Sequence, residues 1–103
     1  MPTTITHDQL VKVGACLYAR KKFQDFFGTE VTLTEELVFK HRADFDFDWA
    51  ATHLLSIEVY QVYRKAEWPA FIKWRDSELP DTLATREYRT TIAQLFYKVY
   101  TSY

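Results

Sequence analysis

Glycine is nearly missing from this chain: only Gly14 and Gly28 occur in 103 residues. A phosphate-cradling loop needs several glycines close together, so none can be built here. A serine nucleophile elbow needs flanking glycines and is excluded with it. Strand-rich folds of this size use turn glycines that this chain lacks, which favours helix. Cysteine is scarcer still. Cys16 stands alone, so no internal disulfide can form, and a reducing compartment suits it. No single-sign block exceeds Arg20-Lys21-Lys22, and the formal net charge is −1. That balance gives no electrostatic footprint for nucleic acid or an anionic membrane. No apolar run nears the ~20 residues a membrane span requires. The first residues, Met1 to His7, lack the apolar core of a signal peptide. The expectation is a soluble cytoplasmic protein with no membrane partner.

Aromatic residues are plentiful: three Trp, seven Tyr and eight Phe make 17% of the chain. Large rings let a small core be built from few residues. Those not in the core suit a partner surface, where Tyr and Trp are favoured. The length predicts one domain over residues 1–103.

Local signals divide the chain into short helices. Thr6-His-Asp-Gln9 is a capping box. The helix it opens carries Leu10, Val13, Leu17 or Cys16, Arg20 and Phe23 at helical steps, with a break near 13–15 allowed by Gly14. Gly28 is placed as its C-terminal stop. Glu30-Val-Thr-Leu33 is β-branched and alternating, and reads as an extended connector or a short edge strand. Thr34 caps a second helix running to about Arg42, and Asp44 or Asp46 caps a third. That third helix is expected to turn Phe47, Ala50, Ala51, Leu54, Ile57 (or Glu58) and Val62 to the core. The fold class is all-α, with five or six short helices and at most one short strand near 30–33.

The last third carries a degenerate eleven-residue repeat over 63–95, with units opening at Tyr63, Trp74 and Thr85 and a further start at Phe96. Eleven residues make nearly three helical turns, so each unit returns to one face. On a helical wheel Val59, Tyr60, Tyr63, Ala70, Phe71 and Trp74 share a sector. Tyr88, Ile92, Leu95, Phe96 and Val99 share it too, whereas Trp68, Ile72, Leu79 and Leu83 lie opposite. One straight amphipathic helix does not switch its apolar face midway. Pro69 and Pro80 sit at the switch, and each would cost ~3 kcal/mol inside a helix. The repeat therefore predicts short helical pieces that break or kink at both prolines. Residues 66–74, apolar on two sides, are either core or interface.

Few residues offer chemistry. Asp44, Asp46 and Asp48 alternate as in a calcium loop, but Trp49 and Leu55 stand where that loop needs Gly and Glu. The acids read as a helix N-terminus complementing its dipole, or as a contact for a basic partner groove. His7, His41 and His53 lack zinc spacing, and His41 with Asp44 or Asp46 makes only a partial site. Cys16 reads as a small core hydrophobe rather than a nucleophile. No catalytic, metal or cofactor residues are predicted. Arg20, Lys21 and Lys22 form a basic face beside Tyr18, and 34–55 can be stretched into a helix-turn-helix, so a nucleic-acid-binding regulator is the competing reading. Tyr97, Tyr100 and Tyr103 recur every three residues and suggest a strip that docks on this domain or on a second copy.

Three stretches resemble a family of small bacteriophage and prophage proteins. They are Ala15-Cys16 with Phe23 and Phe27-Gly28, then Val31-Thr-Leu-Thr34, then Phe45-Asp-Phe-Asp-Trp-Ala-Ala51 with Leu54-Leu55. In that family the C-terminal half is often a run of Ala-, Pro- and Tyr-containing repeats. Ala66-Glu-Trp-Pro-Ala70 and Glu78-Leu-Pro-Asp81 look like worn copies, with far fewer alanines. The resemblance spans about residues 12–97 and implies a phage origin, with no activity, cofactor or functional residues to carry over. Taken together, the expectation is a non-enzymatic protein-interaction module. Its sharpest form is a phage accessory protein that binds and inhibits a host defence protein. The expected contact residues are Asp44, Asp46, Asp48, Trp68, Trp74, Tyr97 and Tyr100. A homo-oligomer and a small-ligand sponge are the remaining alternatives.

Overall fold

Thr6 and Gln9 close the chain's first helix as the capping box requires. The Gln9 backbone N–H donates to Thr6 Oγ1 at 3.1 Å, and the Thr6 N–H donates to Gln9 Oε1 at 2.8 Å. The computed structural model describes residues 3–78 and 80–102. Among these the order is β1 (Thr4–Thr6), α1 (His7–Lys12), α2 (Leu17–Phe27), β2 (Glu30–Thr32), α3 (Glu35–Lys40), α4 (Phe47–Leu54), α5 (Ile57–Arg75) and α6 (Asp81–Ser102). The protein is mostly helical, as expected.

The predicted break near 13–15 is a turn built on Gly14. With Gly14 at φ +80°, its N–H donates to the Val11 carbonyl at 3.1 Å, and the Ala15 N–H reaches back to Leu10 at 2.9 Å. This is the paired bond pattern of a Schellman end, with buried Leu10 and Ala15 as its apolar contact. Cys16 then sits at the cap of α2, exposed, and is not a core hydrophobe. Gly28, at φ 75° and ψ −125°, ends α2 and leads the chain into β2.

The extended segment at 30–33 finds a partner that sequence reading did not foresee. Thr4 pairs with Thr32, Ile5 with Val31 and Thr6 with Glu30, antiparallel. Alternation along a strand turns Ile5 and Val31 to one face, and both are buried.

Asp46, not Asp44, caps α4: its Oδ1 accepts from the Trp49 N–H at 3.0 Å. The third helix is shorter than predicted. Ser56 caps a new helix, accepting from the Val59 N–H at 3.3 Å, and resets the helical phase. Ile57 and Val62 are consequently exposed rather than core.

The predicted break at Pro80 is present and the one at Pro69 is not. α5 ends at Arg75 and α6 begins at Asp81, whereas α5 runs through Pro69 without interruption. Pro69 removes one backbone hydrogen bond and costs α5 locally. The helix persists because residues on both sides of Pro69 are held by packing: Tyr63 and Glu67 before it, Phe71 and Trp74 after it. Tertiary burial, not propensity, decides helix continuity in folded chains. The repeat thus yields an antiparallel pair of long helices rather than three short pieces.

α6 packs on α3, α4 and α5. Its Ile92, Ala93, Phe96, Val99 and Tyr100 are buried with Phe47, Ala51, Val38 and Tyr63. Phe96 lies 5.3 Å from the Tyr100 ring and 5.8 Å from Phe47, centroid to centroid. No helix among the described residues is long and apolar enough to cross a membrane. Leu79 and Tyr103, both named in the sequence reading, lie outside the described residues.

Candidate functional site

The α5–α6 pair is joined by a polar seam inside an otherwise apolar contact. Glu67 is fully buried. Its Oε2 accepts from Arg64 at 3.0 Å and its Oε1 from the Tyr88 hydroxyl at 2.5 Å. Tyr63, also fully buried, donates its hydroxyl to Asp48 Oδ1 at 3.1 Å. A buried carboxylate costs several kcal/mol unless its lone pairs are satisfied, and both oxygens of Glu67 are. The two phenols are held in the neutral form. Burial, and then the charge of Asp48, pushes Tyr63 far above its usual range, and burial with the hydrogen bond to Glu67 raises Tyr88. Sequence reading missed Glu67, although the signal was available. It lies four residues from both Tyr63 and Phe71, inside the apolar sector of the wheel.

Outside this seam the same two helices carry a ladder of rings. Trp68 stacks on Phe71 at 5.5 Å, Phe71 meets Trp74 at 5.8 Å, and Trp74 stacks on Tyr88 at 5.3 Å. The Trp74 indole N–H also donates to Thr85 Oγ1 at 3.3 Å. Trp68 is nonetheless 48% exposed and Trp74 38%. The rings are fixed by their neighbours while a large part of their surface stays open. Cations flank both ends. Arg64 sits 5.7 Å from the Trp68 ring centroid, with Lys65 alongside. At the other end a groove of about 460 Å³ is bordered by Trp74, Tyr88, Lys73, Arg86 and Arg42, with Glu87 the one acid lining it among the described residues.

The other predicted contact residues are largely used within the fold. Asp44 accepts from the His41 ring at 2.9 Å, Asp46 caps α4, and Asp48 takes the Tyr63 hydroxyl. Asp46 stays exposed and Asp44 partly so. Tyr100 is core, and its hydroxyl donates to the Thr4 carbonyl at 2.9 Å, so the tyrosine strip docks on this domain through that residue. Tyr97 is half-buried against the core. The seven residues therefore do not form one site: Trp68 and Trp74 are brought together, and the acids lie apart from them on 44–48. The basic face of α2 is also partly committed, since Lys22 Nζ donates to the Asp44 carbonyl at 2.8 Å and lies over Tyr18. No group of three or more His, Cys, Asp or Glu is arranged to hold a metal among the described residues.

A second feature is bordered by the core itself. α2 and α4 flank a largely apolar cleft of about 400 Å³. Cys16, Ala19, Phe23 and Phe27 line it from one face of α2, and Phe47, Ala50 and Leu54 from α4. Ala19 and Ala50 are too short to fill the space between the helices. Phe27, Phe45 and His41 close one end as an edge-to-face and stacked ring cluster.

Comparison with known proteins adds no relative: no family model, curated protein or solved structure matches this chain.

Proposed function

We propose that this protein is a non-catalytic interaction module that holds an acidic segment of a partner protein against the aromatic ladder of α5. The observation that carries the reading is the pair Trp68 and Trp74, locked by stacking yet 48% and 38% exposed. Preorganised aromatic surface binds at low entropic cost, and Trp is enriched, with Tyr and Arg, among the residues that carry interface binding energy. The surrounding Arg64, Lys65, Lys73, Arg86 and Arg42 set the chemistry of the partner. Their positive charge complements carboxylates and moves the expected acidic contact from this chain to the partner.

The sharper version is a phage accessory protein that engages and inhibits a host defence protein in the host cytoplasm. It rests on the sequence resemblance alone. The test compares two baits in host lysate, the wild-type protein and the Trp68→Ala/Trp74→Ala variant, each confirmed folded by circular dichroism. Partner retention on the wild type, lost by ~30-fold or more on the variant, is expected. Lysine cross-links should map to Lys65 and Lys73. Equal retention on both baits, or cross-links confined to α2, overturns the proposal. A dimer in light scattering that the variant abolishes assigns the ladder to a second copy instead.

A further inference from the structure

The cleft between α2 and α4 is a separate site from the ladder, and His41 gives it a polar anchor. The His41 side chain is only 8% exposed and lines the cleft. Its Nδ1 lies 2.9 Å from Asp44 Oδ2. An ionised carboxylate can only accept, so Nδ1 carries the proton and donates. Asp44, which holds Nδ1, does not line the cleft, whereas His41 does. Among the described residues Nε2 has no hydrogen-bond partner. In the neutral ring Nε2 is then an acceptor, fixed by the bond on the opposite nitrogen. Phe26, Phe27 and Phe45 hold the ring in place, at 4.7, 5.1 and 6.0 Å between centroids.

Nε2 keeps contact with solvent, and a ligand that supplies one O–H can take the place of water there. Apart from His41 and Asp46 the cleft is lined by apolar and aromatic residues and Cys16, and its volume falls in the roughly 300–1,000 Å³ range of ordinary small-molecule sites. We infer that this cleft binds a small apolar molecule carrying one hydroxyl donor, a phenol being the closest match, with the hydroxyl on His41 Nε2 and the apolar body between Phe23 and Phe47. The inference is independent of the partner surface on α5.

Two reporters already sit in the cleft. Cys16 lines it and is exposed, and Trp49 lines it from α4. The probes are para-butylphenol and its methyl ether, which match in apolar body and differ in the donor. Calorimetric titration at pH 8 should show the phenol binding about tenfold more tightly than the ether, and saturating phenol should slow alkylation of Cys16 by N-ethylmaleimide. His41→Phe keeps a ring in place and should bring the two affinities together. Equal affinity of phenol and ether for the wild type overturns the role of His41. Failure of both probes to bind, or an unchanged Cys16 rate at saturation, overturns the site. These readouts need no variant, so a misfolded His41→Phe leaves the conclusion decidable.

Discussion

Replacing Tyr63 by Phe should destabilise the protein at neutral pH and leave it almost unaffected at pH 11. Tyr63 is fully buried, and its hydroxyl donates to Asp48 at 3.1 Å. Burial and the neighbouring Asp48 charge raise it far above its ordinary value of 10.0. A hydrogen bond to a charged group contributes about 1.5–3 kcal/mol. Asp48 is half-exposed and can be rehydrated, so the lower end applies and Tyr63→Phe should cost about 1.5 kcal/mol at pH 7. Raising the pH changes only the wild type. Below pH ~10 the phenol keeps its proton in both states. Above it the unfolded chain releases that proton and the folded chain does not, so stability held at lower pH is lost as pH climbs. The loss is about 1.4 kcal/mol per pH unit once under way, which amounts to about 1.4 kcal/mol between pH 9 and 11. The difference between wild type and variant should therefore shrink from about 1.5 kcal/mol toward zero over that interval. Groups common to both proteins cancel in the difference. Urea unfolding followed by circular dichroism at pH 7, 9, 10 and 11 measures it. A difference that stays constant across the range would mean that Tyr63 ionises as freely in the fold as in the open chain, and would refute the reasoning.

Two further substitutions test the backbone. Pro69→Ala restores an N–H to the interior of α5 and should stabilise the protein by about 1–3 kcal/mol, read as a rise in thermal midpoint; a fall would show that the proline serves the fold. Gly28→Ala meets no atom within 4 Å, so its cost is conformational alone, about 1–3 kcal/mol from the φ of +75°, and chemical denaturation should show an undiminished m-value.

What sequence reading found was local. Thr6, Thr34 and Asp46 announce helix starts through side-chain chemistry that acts within three residues, and Gly14 and Gly28 announce turns through their own φ. What it missed depends on partners distant in the chain. β1 is three residues long and has no signature apart from Glu30–Thr32, which it meets across twenty-odd positions. Pro69 reads as a breaker because its cost is local, while the packing that overrides it comes from α6. Glu67 stands in the apolar sector of the wheel, but the partner that satisfies it, Tyr88, is a helix away. Of the binding features, the ladder was half legible. Trp68 and Trp74 stood out by type, but the cations around them come from the turn after α3, from α5 and from α6, and gather only in the fold. The cleft was invisible, because it is defined by what Ala19 and Ala50 fail to fill.

The position of α6 in the chain governs when the core can exist. Its apolar face is the shared wall on which α3, α4 and α5 all lean, and its Tyr100 holds the strand at Thr4. During synthesis every other element emerges before this wall does. Val38, Phe47 and Tyr63 cannot complete their burial until α6 joins them. The core thus closes only when α6 arrives, and until then the aromatic faces of the preceding segments stay open to whatever is near.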